Sequence, residues 1–484
     1  MHHQQAEAQL EQFLSDNHGK PVIVVQGLGF VGAVMSLVCA NSLVKEYAVV
    51  GVDLPTESGL DRINKINTGT FPIVSSDPKI QEYYESSRAK GNFHATSSEL
   101  AYAKADVIIV DINLDVDKRF DVVGAGFESY DVDMTPFEKA LETIGRNCKE
   151  DVLVLVETTV PPGTCANYVQ PIIERELQKR DLSADSVFIG HSYERVMPGP
   201  NYIDSIQNFY RVYSGINEQS AEKVEAFLKT IIRTDEYPLT RLHNTTATEA
   251  AKVLENSFRA MNIAFMVEWS RFAENAGINL YEIVDAIRLR PTHANLMYPG
   301  IGVGGYCLTK DPLLASWSSQ TQHENQLTLK QSEKAVSIND TMPRQAYGFL
   351  LREYGRSLEK ASILFLGVSY RGNVGDTRYS PVEVLYKLCT QQGASTTLTD
   401  PYVDYWEEVD EQVKAQATAE DIKSNDIVII STSHNEYRTD SILHSTLKET
   451  EGKFILDTVG LLSKDQIETL KTRHTIKVIG RGDL

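Results

Sequence analysis

The chain has 484 residues, 42% hydrophobic and 23% charged, with a formal net charge of -19. That is an ordinary globular composition, long enough for about three domains. The acidic balance argues against nucleic acid or an anionic membrane surface as a partner, and no apolar run is long enough to span a bilayer. Five scattered cysteines (Cys39, Cys148, Cys165, Cys307, Cys389) read as reduced cytosolic thiols, with neither a disulfide frame nor a zinc or other metal site.

Residues 1–20 are polar, lack a signal-peptide core, and read as a short helical or disordered leader. Pro21-Val22-Ile23-Val24-Val25-Gln26-Gly27 reads as a buried strand entering a glycine turn. A helix pattern covers residues 31–43, and a second strand covers residues 48–53. Apolar strands follow at residues 105–111 and 152–157. Residues 244–276 read as one long helix, with no strand run before residue 288. A second strand–helix series opens at residues 361–367 and continues with strands at 395–399, 427–431 and 453–457. The expected fold is therefore α/β: two Rossmann-like, doubly wound parallel-sheet domains joined by a helical domain with a long spine helix.

Gly27-Leu28-Gly29-Phe30-Val31-Gly32 matches G-x-G-x-x-G between a strand and a helix, and Asp53 ends the next strand. This context predicts a dinucleotide site: pyrophosphate on the helix N-terminus, with the carboxylate on the ribose hydroxyls. An acid at position 53 repels a 2′-phosphate and favours NAD over NADP. Gly367-Val368-Ser369-Tyr370-Arg371-Gly372 opens the second series without the full fingerprint. With its cation, it reads as a phosphate-holding turn and not a second NAD site.

Lys252 and Asn256 stand at i and i+4 on the long helix. They form either an oxyanion-stabilising pair or a solvated face that Glu255 and Arg259 share. Thr159 lies in the strand-ending turn Glu157-Thr158-Thr159-Val160-Pro161-Pro162-Gly163-Thr164. Glu194 lies in Ser192-Tyr193-Glu194-Arg195-Val196-Met197-Pro198-Gly199. Both read either as crevice residues or as surface loop. The richest stretch is Tyr298-Pro299-Gly300-Ile301-Gly302-Val303-Gly304-Gly305-Tyr306-Cys307-Leu308-Thr309-Lys310-Asp311-Pro312. It reads as a nucleophilic thiol in a glycine-lined pocket, or as a glycine turn before a buried cysteine.

Together these residues resemble the UDP-glucose/GDP-mannose dehydrogenase family over nearly the whole chain after residue 20. The resemblance rests on the fingerprint, the Thr-Val-Pro-x-Gly-Thr turn, the Lys-x-x-x-Asn helix, the Gly-Gly-x-Cys-x-x-Lys-Asp loop and Gly-Asp-Thr-Arg-x-Ser-Pro at residues 375–381. It implies oxidation of a sugar C6 alcohol to a carboxylate with two NAD+. Cys307 would attack the C6 aldehyde to give a thiohemiacetal and then a thioester. Lys252 and Asn256 would stabilise the oxyanions. Asp311 and Glu194 would place or activate water, with Thr159 holding it. Gly27, Gly29, Phe30, Val31, Gly32, Asp53 and Thr159 would hold the cofactor. Arg259, His293, Asn295, Tyr298, Gly302, Gly304 and Arg371 would hold the UDP-sugar, Arg371 standing where the family has the Lys of a Phe-Lys pair.

Leu254-Glu255-Asn256-Ser257-Phe258-Arg259 with Asn262-Ile263-Ala264-Phe265 resembles the UDP-N-acetylhexosamine branch, in particular the UDP-N-acetylmannosamine dehydrogenases. Lys310 is more like the UDP-glucose branch. Three departures stand out. Asp111-Ile112-Asn113-Leu114 replaces Val-Pro-Thr-Pro, His293 replaces a loop arginine, and Val459 replaces a cation.

After the leader at 1–20, the resemblance implies an NAD-binding domain at 21–238, a helical dimerisation domain at 239–345 that carries the catalytic loop, and a UDP-sugar-binding domain at 346–484. It further implies a cytoplasmic homodimer or higher oligomer supplying uronic acids for surface polysaccharide. Other readings are the same chemistry on UDP-glucose, a two-electron hydroxyacid dehydrogenase of the 6-phosphogluconate type, and a silent nucleotide-sugar binder. The Cys307 loop and the second α/β domain argue against the hydroxyacid reading.

Overall fold

The computed structural model describes residues 2–73, 75–122, 124–196, 198–323 and 326–484. They form two compact units. The first comprises residues 1–117, 131–254 and 314–328, and the second residues 118–130, 255–313 and 329–484.

The first unit is built on eight strands: β1 (Val22–Gln26), β2 (Ala48–Val52), β3 (Phe93–Thr96), β4 (Val107–Val110), β5 (Val152–Val156), β6 (Val187–His191), β7 (Val212–Gly215) and β8 (Thr240–Arg241). Their spatial order is β8-β7-β6-β5-β4-β1-β2-β3. All neighbours are parallel except β6 and β7. Every residue of β2 and β5 is buried. Their unbroken apolar runs follow because crossover helices cover both faces of a parallel sheet. One such helix, Phe30–Ala40, buries nine of its residues. It stops three residues short of the sequence expectation because the Asn41 side chain donates to the Leu37 carbonyl at 2.9 Å and to the Tyr83 carbonyl at 2.9 Å. Within the stretch expected as a leader, a helix runs His2–Asp16.

The second unit carries five parallel strands: β9 (Ser362–Leu366), β10 (Ser395–Thr399), β11 (Ile427–Ile430), β12 (Phe454–Asp457) and β13 (Thr475–Val478), in the order β10-β9-β11-β12-β13. Two apolar cores, one on each face, hold it: Ile363, Phe365 and Ile429 point one way, and Leu364, Leu366 and Val428 the other. In both sheets the strand order reverses beside the first strand. Ligands of such sheets collect at that switch point, beyond the carboxyl ends of the strands.

The helical connection is as expected: one helix runs Thr245–Ala276. Helices Cys307–Thr321 and Lys330–Tyr354 follow. Among the described residues, no helix is long and apolar enough to cross a membrane.

Candidate active site

In the first unit the glycine turn leaves β1 at the switch point. Gly27 adopts φ +94°, and a Cβ there would collide with the Asp111 carbonyl. Gly29 caps the helix Phe30–Ala40 with no side-chain hydrogen bond, so the first-turn N–H groups face outward, as a pyrophosphate requires. Gly32 is buried, whereas Phe30 and Val31 are half-buried, and the Phe30 carbonyl accepts from the Tyr202 hydroxyl at 2.6 Å. Asp53 follows β2, and its carboxylate accepts from Leu54 N (2.8 Å) and from Arg62 Nε (2.8 Å). The cradle and the carboxylate fit an adenosine dinucleotide. Arg62, invisible as a motif, steers the acid.

Asp111 replaces a non-ionisable residue of the family pattern. The ladder pairs Val110 with Val156, which sets Asp111 beside Glu157. Glu157 is fully buried and held by Arg211 at 2.8 Å. Burial, with help from the Glu194 carboxylate, pushes its carboxyl up to about 7 despite Arg211. Asp111 is raised well above its usual range by burial and then by Glu157.

Thr159 is half-buried where the turn begins. The turn itself is pinned by Glu249 of the spine helix, which accepts from Gly163 N at 2.5 Å and Cys165 N at 2.8 Å. Glu194 is 8% exposed, and its carboxylate accepts from the Val196 amide. Lys252 donates to the Glu194 carbonyl at 2.9 Å and stands 3.9 Å from its carboxylate, over the Tyr193 ring. Met197 of this segment lies outside the described residues.

In the second unit, Asn256 Nδ2 donates to Asp311 Oδ2 at 2.7 Å, and Lys310 Nζ donates to Asp311 Oδ1 at 2.9 Å. All three side chains are buried. Burial of both Lys252 and Asn256, while Glu255 and Arg259 are exposed, removes the solvated-face reading. The buried-cysteine reading fails as well. Cys307 is exposed at the first residue of its helix, whereas Cys39, Cys148, Cys165 and Cys389 are buried with thiols pushed up by desolvation. A helix N-terminus favours a thiolate.

The glycine loop before Cys307 is tied at two points. Asn339 clamps Val303 through both of its backbone groups at 2.9 Å, and Gly305 N donates to the Arg378 carbonyl at 2.8 Å. Gly302 lies against Asn339 and Met342, and Gly304 against Tyr370 and Tyr379. Gly305 has φ +74°, and any side chain there would meet the Tyr370 ring. Tyr379 meets the Tyr306 ring edge-on, and Arg378 lies over the Tyr306 ring while held bidentately by Asp376.

Arg371 follows this tyrosine. Partial burial, and then the neighbouring Arg259 guanidinium, hold it below the usual arginine value. Neither arginine has a carboxylate partner among the described residues, which suits a phosphate ligand. Asp400, directly after β10, accepts from Val368 N, Ser369 N and Ser369 Oγ of the turn after β9 and from His434 Nε2, at 2.9–3.0 Å. The acid that could read a ribose is thus consumed within the turn.

His293 and Asn295 are exposed. The His293 ring lies 2.9 Å from Thr292 Oγ1, and the Asn295 carbonyl accepts from Asn262 Nδ2 at 2.7 Å. Tyr298 donates to Asp285 at 2.5 Å and stacks on Tyr281, with Arg288 over its ring. Sequence reasoning missed Arg62, Arg211, Glu249, Asp376, Arg378 and Tyr370. Tyr370, Asp376 and Arg378 fall inside quoted motifs without a role assigned to them, and Arg62, Arg211 and Glu249 stand in no recognisable spacing.

Two dinucleotide-type sheets, a helical connection and a cysteine-bearing glycine loop define a nucleotide-sugar dehydrogenase. Family models for the UDP-glucose/GDP-mannose dehydrogenases match the NAD-binding domain at residues 21–232, the central domain at 246–341 and the UDP-binding domain at 364–464. The chain belongs to the UDP-glucose/GDP-mannose dehydrogenase family, and its cofactor is NAD. It is 28% identical to the UDP-N-acetyl-D-mannosamine dehydrogenase of Pyrococcus horikoshii, over 96% of this chain and 100% of the relative. It is 27% identical to that of Methanococcus maripaludis, over 95% and 97%. The solved UDP-D-ManNAc dehydrogenase from Pyrococcus horikoshii superposes with a TM-score of 0.78 at 26% identity, covering 96% of this chain and 100% of that one.

Proposed function

We propose that this enzyme oxidises the C6 alcohol of a UDP-N-acetylhexosamine to the uronic acid in two steps on one carbon. The observation that carries the reading is the exposed Cys307 thiol on the same helix as Asp311, whose buried carboxylate is held by Asn256 and Lys310. NAD, when bound, accepts the hydrides. The chain's own groups do the rest. Lys252 and Asn256, one turn apart on the spine helix, stabilise the developing oxyanions. Loss of the first hydride and of the hydroxyl proton to water leaves the C6 aldehyde; the Cys307 thiolate adds to it, forming a C–S bond as the C=O π bond breaks, and the resulting oxyanion takes a proton from water to give the thiohemiacetal. A second hydride leaves C6 to give a thioester. Water placed by Asp311 and Glu194, with Thr159, breaks the C–S bond and releases the carboxylate and the thiolate. Arg259 and Arg371 take the diphosphate, and His293, Asn295, Tyr298, Gly302 and Gly304 complete the sugar pocket. The named relatives favour the N-acetylated sugar; Lys310 keeps UDP-glucose as the second reading.

The domain limits 21–238, 239–345 and 346–484 belong to this proposal, as do a cytoplasmic setting and a role in surface polysaccharide. So does a homodimer. Phe258, Phe265, Trp269 and Phe272 lie in one narrow stripe of the spine helix and are 44–59% exposed, which suits a second copy.

The test is NADH release with UDP-ManNAc, UDP-GlcNAc, UDP-GalNAc and UDP-glucose, alongside Cys307→Ser. Two NADH per N-acetylated sugar, lost in the variant, is the expected result. Turnover of UDP-glucose alone overturns the substrate class, and undiminished turnover in the variant overturns the thioester route.

A further inference from the structure

We infer that Tyr370 is a further catalytic residue, its phenol donating a hydrogen bond to the Cys307 sulfur when that sulfur is a thiolate. The inference deepens the function proposed above and rests on Cys307 being the nucleophile. Tyr370 leaves the β9 turn and lays its ring on the glycine loop. A Cβ on Gly304 would lie 2.5 Å from Tyr370 Cβ, and one on Gly305 would lie 2.8 Å from Cζ and 3.0 Å from the hydroxyl oxygen. The hydroxyl is therefore fixed against the residue two before Cys307. Its backbone is anchored too, since Tyr370 N donates to the Asp376 carbonyl at 3.0 Å.

Among the described residues, the phenol makes no hydrogen bond, although Cys307 is one of the charges that it feels. Burial, then Asp376, then Cys307 push it up to about 12, so it stays a protonated donor wherever a thiolate exists. The ring is held on the loop by Gly304 and Gly305, and the Cys307 thiol is exposed. A donor placed and uncommitted in the resting enzyme tightens onto charge as it forms.

Other charged groups face this corner. On the Tyr370 side stand Arg371, Arg378 and Asp376, the last two neutralising each other at 2.6 and 2.8 Å. Arg259, exposed on the spine helix, acts on Arg371. On the cysteine helix, Lys310 and Asp311 are paired at 2.9 Å, with Asn256 on the second oxygen. The helix N-terminus, the Arg371 guanidinium and the phenol each favour a thiolate at Cys307. Only the phenol can be removed without altering charge.

The experiment is the rate of Cys307 alkylation by iodoacetamide against pH, read by mass spectrometry of the Cys307 peptide in the full chain. The other four cysteines are buried and serve as internal controls. In Tyr370→Phe the ring still covers the loop. Its alkylation midpoint is expected to rise by about one pH unit, which is tenfold less thiolate at a given pH. kcat should fall by about the same factor with KM kept. An unchanged or lowered midpoint overturns the proposal. Melting curves establish that the variant is folded. If it is not, 3-fluorotyrosine placed at position 370 gives a stronger donor and must lower the midpoint; no movement overturns the idea. The alkylation readout needs no sugar. A failure of the thioester route in Cys307→Ser is therefore distinguishable from a failure of this coupling.

Discussion

Removing the Asn256 amide tests the carboxylate arrangement directly. Asp311 is 1% exposed and Asn256 9% exposed, so water does not replace a lost partner. At 2.7 Å to an ionised acceptor, the bond is charge-assisted and contributes about 1.5–3 kcal/mol. Asn256→Ala leaves Asp311 with Lys310 alone on its other oxygen. For a unit of about 200 residues, a loss of about 2 kcal/mol lowers the melting midpoint by about 4–8 °C. The assay is a double-mutant cycle with Asp311→Ala, read by scanning calorimetry. The expected coupling is about 2 kcal/mol, and kcat in Asn256→Ala should fall at least tenfold if the amide also meets an oxyanion. A coupling below about 0.5 kcal/mol would refute the buried amide–carboxylate bond, whatever the kinetics show.

Gly27→Ala should abolish NAD binding, measured by NADH fluorescence titration, because the left-handed backbone and the Asp111 carbonyl both reject a Cβ; retained affinity would remove the cradle. Trp269→Glu should convert a dimer to monomers in sedimentation, with the fold intact; an unchanged sedimentation coefficient would place the interface elsewhere. Glu157 has its carboxyl raised from 4.5 to about 7, so the folded state binds the extra proton between those pH values. Stability should therefore fall as pH rises through that window, by up to about 1.4 kcal/mol per unit. Glu157→Gln should flatten the slope in urea titrations at pH 5 and 7, and identical slopes would show that Glu157 is not the titrating group.

Much of this molecule was determined locally. The strand–Gly27–helix turn, the continuous apolar strands and the spine helix are written in runs of a few residues. Their backbone preferences and burial periodicity act at short range, so the apolar strands β1, β2, β4, β5 and β9–β12 were legible before any packing was known, whereas β3, β6–β8 and β13 were not read. The chemistry-bearing motifs were legible for the same reason, because Cys307 and its glycines are neighbours in sequence. Tertiary structure decided which alternatives survive. Lys252 and Glu255 look alike as letters, yet one is buried and the other exposed. Asn256 meets Asp311 across 55 residues, and Asp111 becomes a neighbour of Glu157 only through strand register. Tyr370 reads as an ordinary turn aromatic until the sheet carries it onto Gly305. Partners of a buried charge are chosen by the fold because desolvation makes an unpaired ion costly wherever the chain folds. Spacing along the sequence carries no record of that choice.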